Sequence, residues 1–289
     1  MTKQNRLREK IQRGLAAWGV TRVLHTAPHH DDIMLGYYPL IVRSPETDNH
    51  MMYLVSGSNG VSDDYLYSQL GQDHELAKIY LQQGDFTGNS TATLMKMHIR
   101  ETEAECLWNQ SGIKYGISHQ RSAFYNGSYF ERELNLREDI ARCVDVINNF
   151  APELILVLHD SDSHGPPTHH LAYRVIMAAI ELYKKPVSVW GYRNVWDRYR
   201  LEDAEIIVPV SQAELDLQHQ MFISCFASQA RAVDCLGDGT LPFSVHAQKI
   251  QREQFEEAVA LLGKDYFTQH SDPRMRSAVG LILFEKVGK

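Results

Sequence analysis

The chain has 289 residues, 44% hydrophobic and 22% charged, with a formal net charge of −7 and a pI near 6.0. That balance is enough for a sizeable core and excludes the basic surface with which nucleic-acid binders neutralise phosphates. The four cysteines (Cys106, Cys143, Cys225, Cys235) are scattered with no C-x-x-C pair, so neither a disulfide framework nor a thiolate zinc site reads out of them.

The charged opening stretch lacks the apolar core of a signal peptide, and no run of about 18 apolar residues offers a membrane span. The expectation is a cytoplasmic, reduced protein with no membrane partner. Residues 5–18 carry Leu7, Ile11, Leu15 and Trp18 at helical spacing, stopped at Gly19. Thr21–Ala27 reads as a short strand ending at Pro28, and Met51–Ser56 as a second, ending in the turn-rich Gly57–Gly60. From Gly57 to about Thr93 the chain is long, polar and aromatic, with one short helix expected over Leu70–Gln83. A segment of that length between sheet elements suits a lid or binding loop. Its tyrosines (Tyr65, Tyr67, Tyr80) are available for stacking on a ligand or for packing.

Helices follow at about 94–110 and 133–149. Leu154–Leu158 is apolar throughout, as central parallel strands are. Thr168–Lys184 reads as a helix, Val187–Gly191 and Glu205–Val210 as strands, and Ser211 as the N-cap of a helix over 212–225. The last 80 or so residues read as mainly helical. With no repeat or linker visible, the alternation predicts a single α/β domain over 1–289 with a helical extension from about 230.

Two clusters carry the chemistry. His29-His30-Asp31-Asp32 follows the first strand; His159-Asp-Ser-Asp-Ser-His164, with His169-His170, follows the central one. Imidazole and carboxylate are natural zinc ligands, and strand ends in a parallel sheet bring such loops into one crevice. Three protein ligands and an open fourth position make a catalytic rather than a structural site. Asp31, beside a ligand, then serves as general base, and a nearby protonated histidine stabilises the oxyanion and protonates the leaving amine. Taken one at a time, these residues are ordinary turn and cap residues; two such clusters, each after a strand, favour a metal.

Ala27-Pro28-His29-His30-Asp31-Asp32-Ile-Met-Leu-Gly36 resembles the A-H-P-D-D-x-x-x-G signature of the PIG-L/LmbE-type metal-dependent deacetylases. Arg100-Glu-Thr-Glu103-Ala104 is similar to the family's R-x-x-E-A helix, and Gly165–Ile176 to its second histidine motif. Val189–Trp196 resembles a strand of relatives attached to, or described as, glucosamine-6-phosphate deaminases. The resemblance runs over roughly residues 20–230. It implies a Rossmann-like (LmbE-like) three-layer fold with a mostly parallel sheet. It also implies one Zn2+, replaceable by Fe2+ in a reducing cytoplasm, and removal of an N-acetyl group from a glucosamine-containing substrate. His29, Asp32 and His169 would be ligands, with His170 the competing third. Asp31 would be the base and Arg100 a substrate contact, against its plain reading as a helix-surface pair with Glu103.

Three departures stand out. His30 replaces a proline, Pro166-Pro167-Thr168 replace the H-x-D before His169, and Phe226-Ala-Ser228-Gln229 resembles an H-x-S-Q motif without its histidine. His164 is then the candidate oxyanion residue. Three functions remain open: an amino-sugar de-N-acetylase, a metal hydrolase of another amide or ester, and a non-catalytic ligand-binding or regulatory protein. The expected partner is a small amino-sugar molecule, and a homo-oligomer is left open.

Overall fold

The computed structural model describes residues 2–16, 18–70, 90–122, 136–161, 164–230 and 241–287. The elements run α1 (Lys3–Leu15), β1 (Arg22–Ala27), α2 (Asp32–Val42), β2 (Asp48–Tyr53), α3 (Asp63–Gln69), α4 (Ser90–Gln110), β3 (Tyr115–His119), α5 (Leu136–Phe150), β4 (Leu154–Leu158), α6 (Pro167–Leu182), β5 (Ser188–Tyr192), β6 (Ile206–Ser211), α7 (Gln212–Cys225), α8 (Ala227–Ala230), α9 (Phe243–Leu262), α10 (Lys264–Thr268), α11 (Pro273–Arg276) and β7 (Ala278–Lys286). The helix expected over Leu70–Gln83 lies outside the described residues beyond Leu70, as does Cys235.

Seven strands form one sheet in the order β3-β2-β1-β4-β5-β7-β6. The first five are mutually parallel, and β7 runs antiparallel to both of its neighbours. Alternation along the strands separates two apolar layers. Val23, Leu154, Leu156 and Leu158 point to α2, α4 and α7, whereas Leu24, Ile155 and Val157 point to α5 and α6. Helices on both faces of a parallel sheet are the three-layer α/β arrangement that the resemblance implies. From β1 the chain continues to β2 on one side, while β4 lies on the other, so the crevice beyond their ends is the switch point where ligands bind in such sheets.

Several local outcomes differ from the sequence reading. β2 begins at Asp48, not Met51, because its polar start is satisfied inside the sheet: Asn49 Oδ1 accepts from His25 Nε2 at 2.9 Å and Nδ2 donates to the Thr47 and Lys114 carbonyls. Helix α2 had no amphipathic signal. Buried over ten of its eleven residues, interrupted by Pro39 and irregular at Tyr37, it has no polar face to give a period. The edge strand β3 is half-buried and contains Gly116. The clearest correction is β7, in a region read as mainly helical. Its apolar run Leu281–Phe284 is short and continuous, and such a run gives no period to tell strand from helix. The cap at Ser211 agrees: its side chain and the Glu214 carboxylate form a capping box at the start of α7. Among the described residues no helix is long and apolar enough to cross a membrane.

Helix α1 presents Leu7, Ile11 and Gly14 to β6, the 4- and 3-residue spacings of one helical face. At Gly14 the approach is so close that a Cβ would lie 2.0 Å from the Ile207 carbonyl oxygen. Gly14→Ala should therefore push α1 off the sheet and lower unfolding stability by about 1–3 kcal/mol, read as a lower urea midpoint at unchanged slope. An unchanged midpoint would mean that α1 does not seat on β6 in this way.

Candidate active site

Pro28–Asp31 joins β1 to α2 at the switch point, and Asp32 is the first residue of α2. The loop folds back on itself, with the His29 main-chain N–H donating to Asp32 Oδ2 at 2.7 Å. From the other side, α6 delivers His169 in its first turn. His29 Nδ1 lies 3.1 Å from His169 Nε2 and 3.3 Å from Asp32 Oδ2, and His169 Nε2 lies 3.7 Å from Asp32 Oδ1. One donor atom from each of the three residues falls within 4.8 Å of the others.

The donor set passes a chemical test for a metal. Two imidazole nitrogens and a carboxylate oxygen suit zinc or another borderline divalent ion. The outer ring nitrogen of His169 is anchored, with Nδ1 2.6 Å from Asp160 Oδ2, the carboxylate partner that orients metal-binding histidines. Asn194 Nδ2 donates to Asp32 Oδ1 at 2.7 Å, fixing the second anionic arm. Burial disfavours charge on Asp32, but His169 and the contacts to His29 outweigh it and hold the carboxyl down to about 2. Burial likewise disfavours charge on His169, and the Asp32 and Asp160 carboxylates overcome it and raise its pKa. The Asp32 and Asp160 carboxylates thus draw positive charge to the His169 ring.

Asp160 is seated by the loop that follows it. Gly165 has φ +83°, and a Cβ there would lie 2.2 Å from Asp160 Oδ2. Only glycine adopts this turn without displacing the carboxylate.

Asp31 stands beside the three but outside the set. Its Oδ1 accepts from Arg100 Nη2 at 2.7 Å, and Arg100, 2% exposed, also reaches Glu103 Oε2 at 3.3 Å. The helix pair and the site contact thus both exist. Glu103 is held from α8, accepting from the Ser228 main-chain N–H at 2.7 Å and from Ser228 Oγ at 2.8 Å. Phe226, where the motif lacks its histidine, lies under the Arg100 guanidinium at 5.8 Å.

The departure at His30 has its own account. The ring is buried, stacks on Tyr53 with centroids 4.7 Å apart, and sets Nε2 3.1 Å from His119 Nδ1. Burial, aided by the Arg100 and His119 charges, keeps its pKa well below the usual histidine value. A neutral, stacked ring thus stiffens the loop where the family motif has proline.

A cavity of about 780 Å³ opens over this group, in the range of ligand sites. His29, Asp31, Asp32 and Arg100 line it, with Trp196, Val195, Phe243, Pro166 and Pro167 as apolar walls and Asn59, Ser62, Thr168 and Gln229 as polar ones. The segment after Gly57 therefore does reach the cavity, but through Asn59, Gly60 and Ser62. Tyr65 and Tyr67 are not in the lining, and Tyr67 is 68% exposed.

His169, not His170, joins His29 and Asp32. His164 is exposed on the loop, its Nδ1 3.0 Å from Ser161 Oγ, and does not line the cavity. His159 is also elsewhere, stacked on Tyr173 and 3.1 Å from Glu285. Sequence reasoning missed Asp160 and Asn194. Asp160 was within reach, as the second residue after a buried strand and inside a cluster already singled out. Asn194 had no comparable signal, since a single amide after a strand is common.

The family model described as PIG-L, GlcNAc-PI de-N-acetylase, matches residues 24–180. A glucosamine-6-phosphate deaminase-like protein of Bacteroides thetaiotaomicron is 23% identical over 249 residues, covering 75% of this chain and 37% of that protein. The chain therefore spans little more than a third of the length of that curated relative. Among solved structures the fold is similar to GalB, the 4-carboxy-2-hydroxymuconate hydratase of Pseudomonas putida KT2440. The TM-score is 0.55 at 12% identity, covering 93% of this chain and 97% of that one. It is also similar to a deacetylase of the teicoplanin biosynthesis pathway in complex with bog, with a TM-score of 0.52 at 12% identity, covering 93% and 100%. At such identity these structures show the fold alone. The family match covers more than half of the chain and takes in His29, Asp31, Asp32, Arg100 and His169. By that match the protein belongs to the PIG-L family.

Proposed function

We propose that this protein is a zinc-dependent hydrolase that removes the N-acetyl group of a small glucosamine-containing substrate, with Fe2+ as the other ion its ligands accept. The observation that carries this reading is the meeting of His29, Asp32 and His169, with His29, Asp32 and the neighbouring Asp31 in the wall of one cavity. When bound by these three residues, the metal supplies Lewis acidity toward water and the acetyl carbonyl.

The remaining work belongs to the chain. Asp31 takes the proton of the attacking water, and its ion pair with Arg100 holds the carboxylate in one orientation at the cavity wall. Arg100, the buried cation nearest Asp31, contacts the substrate from the same side. Trp196 and Phe243 offer apolar faces on which a sugar ring stacks. His164 is next to Gly165 of the cavity wall; to stabilise the oxyanion or protonate the amine it would turn inward from Ser161. The substrate is the least constrained element, because one fold hosts different chemistries, as a hydratase and a deacetylase on similar scaffolds illustrate.

A second reading, a ligand-binding or regulatory protein without turnover, has a specific observation in its favour. Asp31 is already paired with a guanidinium, and Phe226 stands where the related motif has a histidine. The two readings part on turnover by the zinc-loaded protein. On the hydrolase reading, free acetate appears from N-acetylated glucosamine derivatives. Asp31→Asn then lowers turnover by about 10²–10⁴-fold while zinc stays bound. Zinc bound at full occupancy with no cleavage of any amide or ester supports the second reading, and turnover intact in Asp31→Asn removes Asp31 from the base role.

The ligand set has its own test, independent of activity. His169→Ala should lose zinc and His170→Ala should keep it, by metal analysis of the purified proteins. Asp160→Asn should weaken zinc binding by about 10–100-fold, since the His169 ring loses its anchoring carboxylate. Equal zinc content in all three variants would place the metal elsewhere.

A further inference from the structure

We propose that Cys106 and Cys225 are a redox pair, closing reversibly into a disulfide that ties α4 to the corner between α7 and α8. Their sulfurs are 3.2 Å apart, although 119 positions separate them in the chain. Cys106 lies one helical turn beyond Glu103 on α4, and Cys225 is the last residue of α7, directly before Phe226. Neither takes part in the site described above, and neither is within two residues of a metal ligand. Cys143, on α5, is buried on the opposite face of the sheet with residues of α6, so it cannot compete without unfolding.

The two thiols differ in access. Cys106 is partly exposed and its sulfur accepts from the Gln110 side-chain amide at 3.0 Å, whereas Cys225 is buried. Burial, with the Cys106 contact adding to it, pushes the Cys225 thiol up to about 12. Cys106 is therefore the entry point. Its thiolate attacks one sulfur of a small disulfide such as glutathione disulfide, releasing one glutathione thiolate and leaving a mixed disulfide. Cys225, giving up its proton, attacks the Cys106 sulfur and releases the second glutathione. Two protein thiols are oxidised, one external disulfide is reduced to two thiols, and reduced glutathione reverses both steps.

Place gives the pair its meaning. The Glu103–Ser228 hydrogen bonds and the Arg100–Phe226 contact lie between the two cysteines and the cavity. A covalent bond at this joint fixes α4 to the corner between α7 and α8, so the segment carrying Arg100 loses freedom when the bond closes. This assignment stands apart from the hydrolase reading and its test does not use turnover.

The full-length protein is incubated under native conditions with glutathione disulfide, quenched by alkylation, digested and mapped by mass spectrometry. The expected result is the loss of two free thiols and a peptide pair joined through Cys106 and Cys225, reversed by reduced glutathione. The oxidised protein should melt at least about 5 °C higher, because the bond closes a long loop. Cys225→Ser should arrest at glutathione on Cys106, and Cys106→Ser should show no cross-link. Glutathione remaining on Cys106 in the wild type, a bond through Cys143 or Cys235, or an oxidised form that melts no higher would each overturn the proposal.

Discussion

A carboxylate buried at the centre of a sheet edge has to be satisfied from several directions, and Asp32 shows how much structure that requires. Its two oxygens take the main-chain N–H of His29, the side-chain amide of Asn194 and the approach of His169. These partners come from the β1–α2 loop, the segment after β5 and the first turn of α6. An unpaired buried charge costs several kcal/mol, so the three segments are not free to move apart. The parallel order around β1 and β4 brings these loops into one crevice, and the charge holds them there. Position at the first residue of α2 adds the favourable end of that helix dipole.

Outside this hub a second polar chain runs from Asp31 through Arg100 and Glu103 to Ser228. It alternates anion, cation and anion, ending on main-chain and hydroxyl donors, so each buried charge has a partner. Burial works against charge on Arg100, but Asp31 and Glu103 overcome it and raise its pKa, keeping it cationic. Glu103 shows the cost of the arrangement: burial raises its pKa despite Arg100 and Ser228. The inner hub gathers the Asp32 and Asp160 carboxylates around His169, while the outer chain sets one cation between two anions and serves as scaffolding for Asp31.

Much of this site was legible from sequence, for a stated reason. His29, Asp31 and Asp32 stand directly after a strand, where the covalent chain alone confines them to the sheet edge. Spacing alone does not separate His169 from His170, because adjacent residues differ by only 100° of helix rotation; the choice of His169 comes from the family resemblance. Arg100 was legible as a residue of interest and its bond to Glu103 as a helix pair, but its bond to Asp31 joins positions 69 apart. His164 followed from proximity in sequence to the second motif, and the turn at Gly165 sends it to the surface instead. In the fold, most amphipathic helices and the wholly apolar strand β4 were readable, whereas the half-buried edge strand β3 and the short helix α3 were not. Helix α2 and strand β7, sealed in apolar surroundings, lacked the alternation that pattern reading needs.

The position of β7 has a consequence for how the molecule assembles. Among the described residues strand β6 pairs with the rest of the sheet only through β7, and β7 pairs with β5 across nearly a hundred residues of chain. During synthesis, then, β5 emerges with its outer edge bare, and β6 waits without a ladder while α7 to α11 are made. Such non-local closure is slow, and an uncovered strand edge is a template for unwanted pairing. A nascent chain of this protein would be most exposed to aggregation in the interval before residues 278–286 leave the ribosome, which makes the arrival of β7 the step that a chaperone would have to guard.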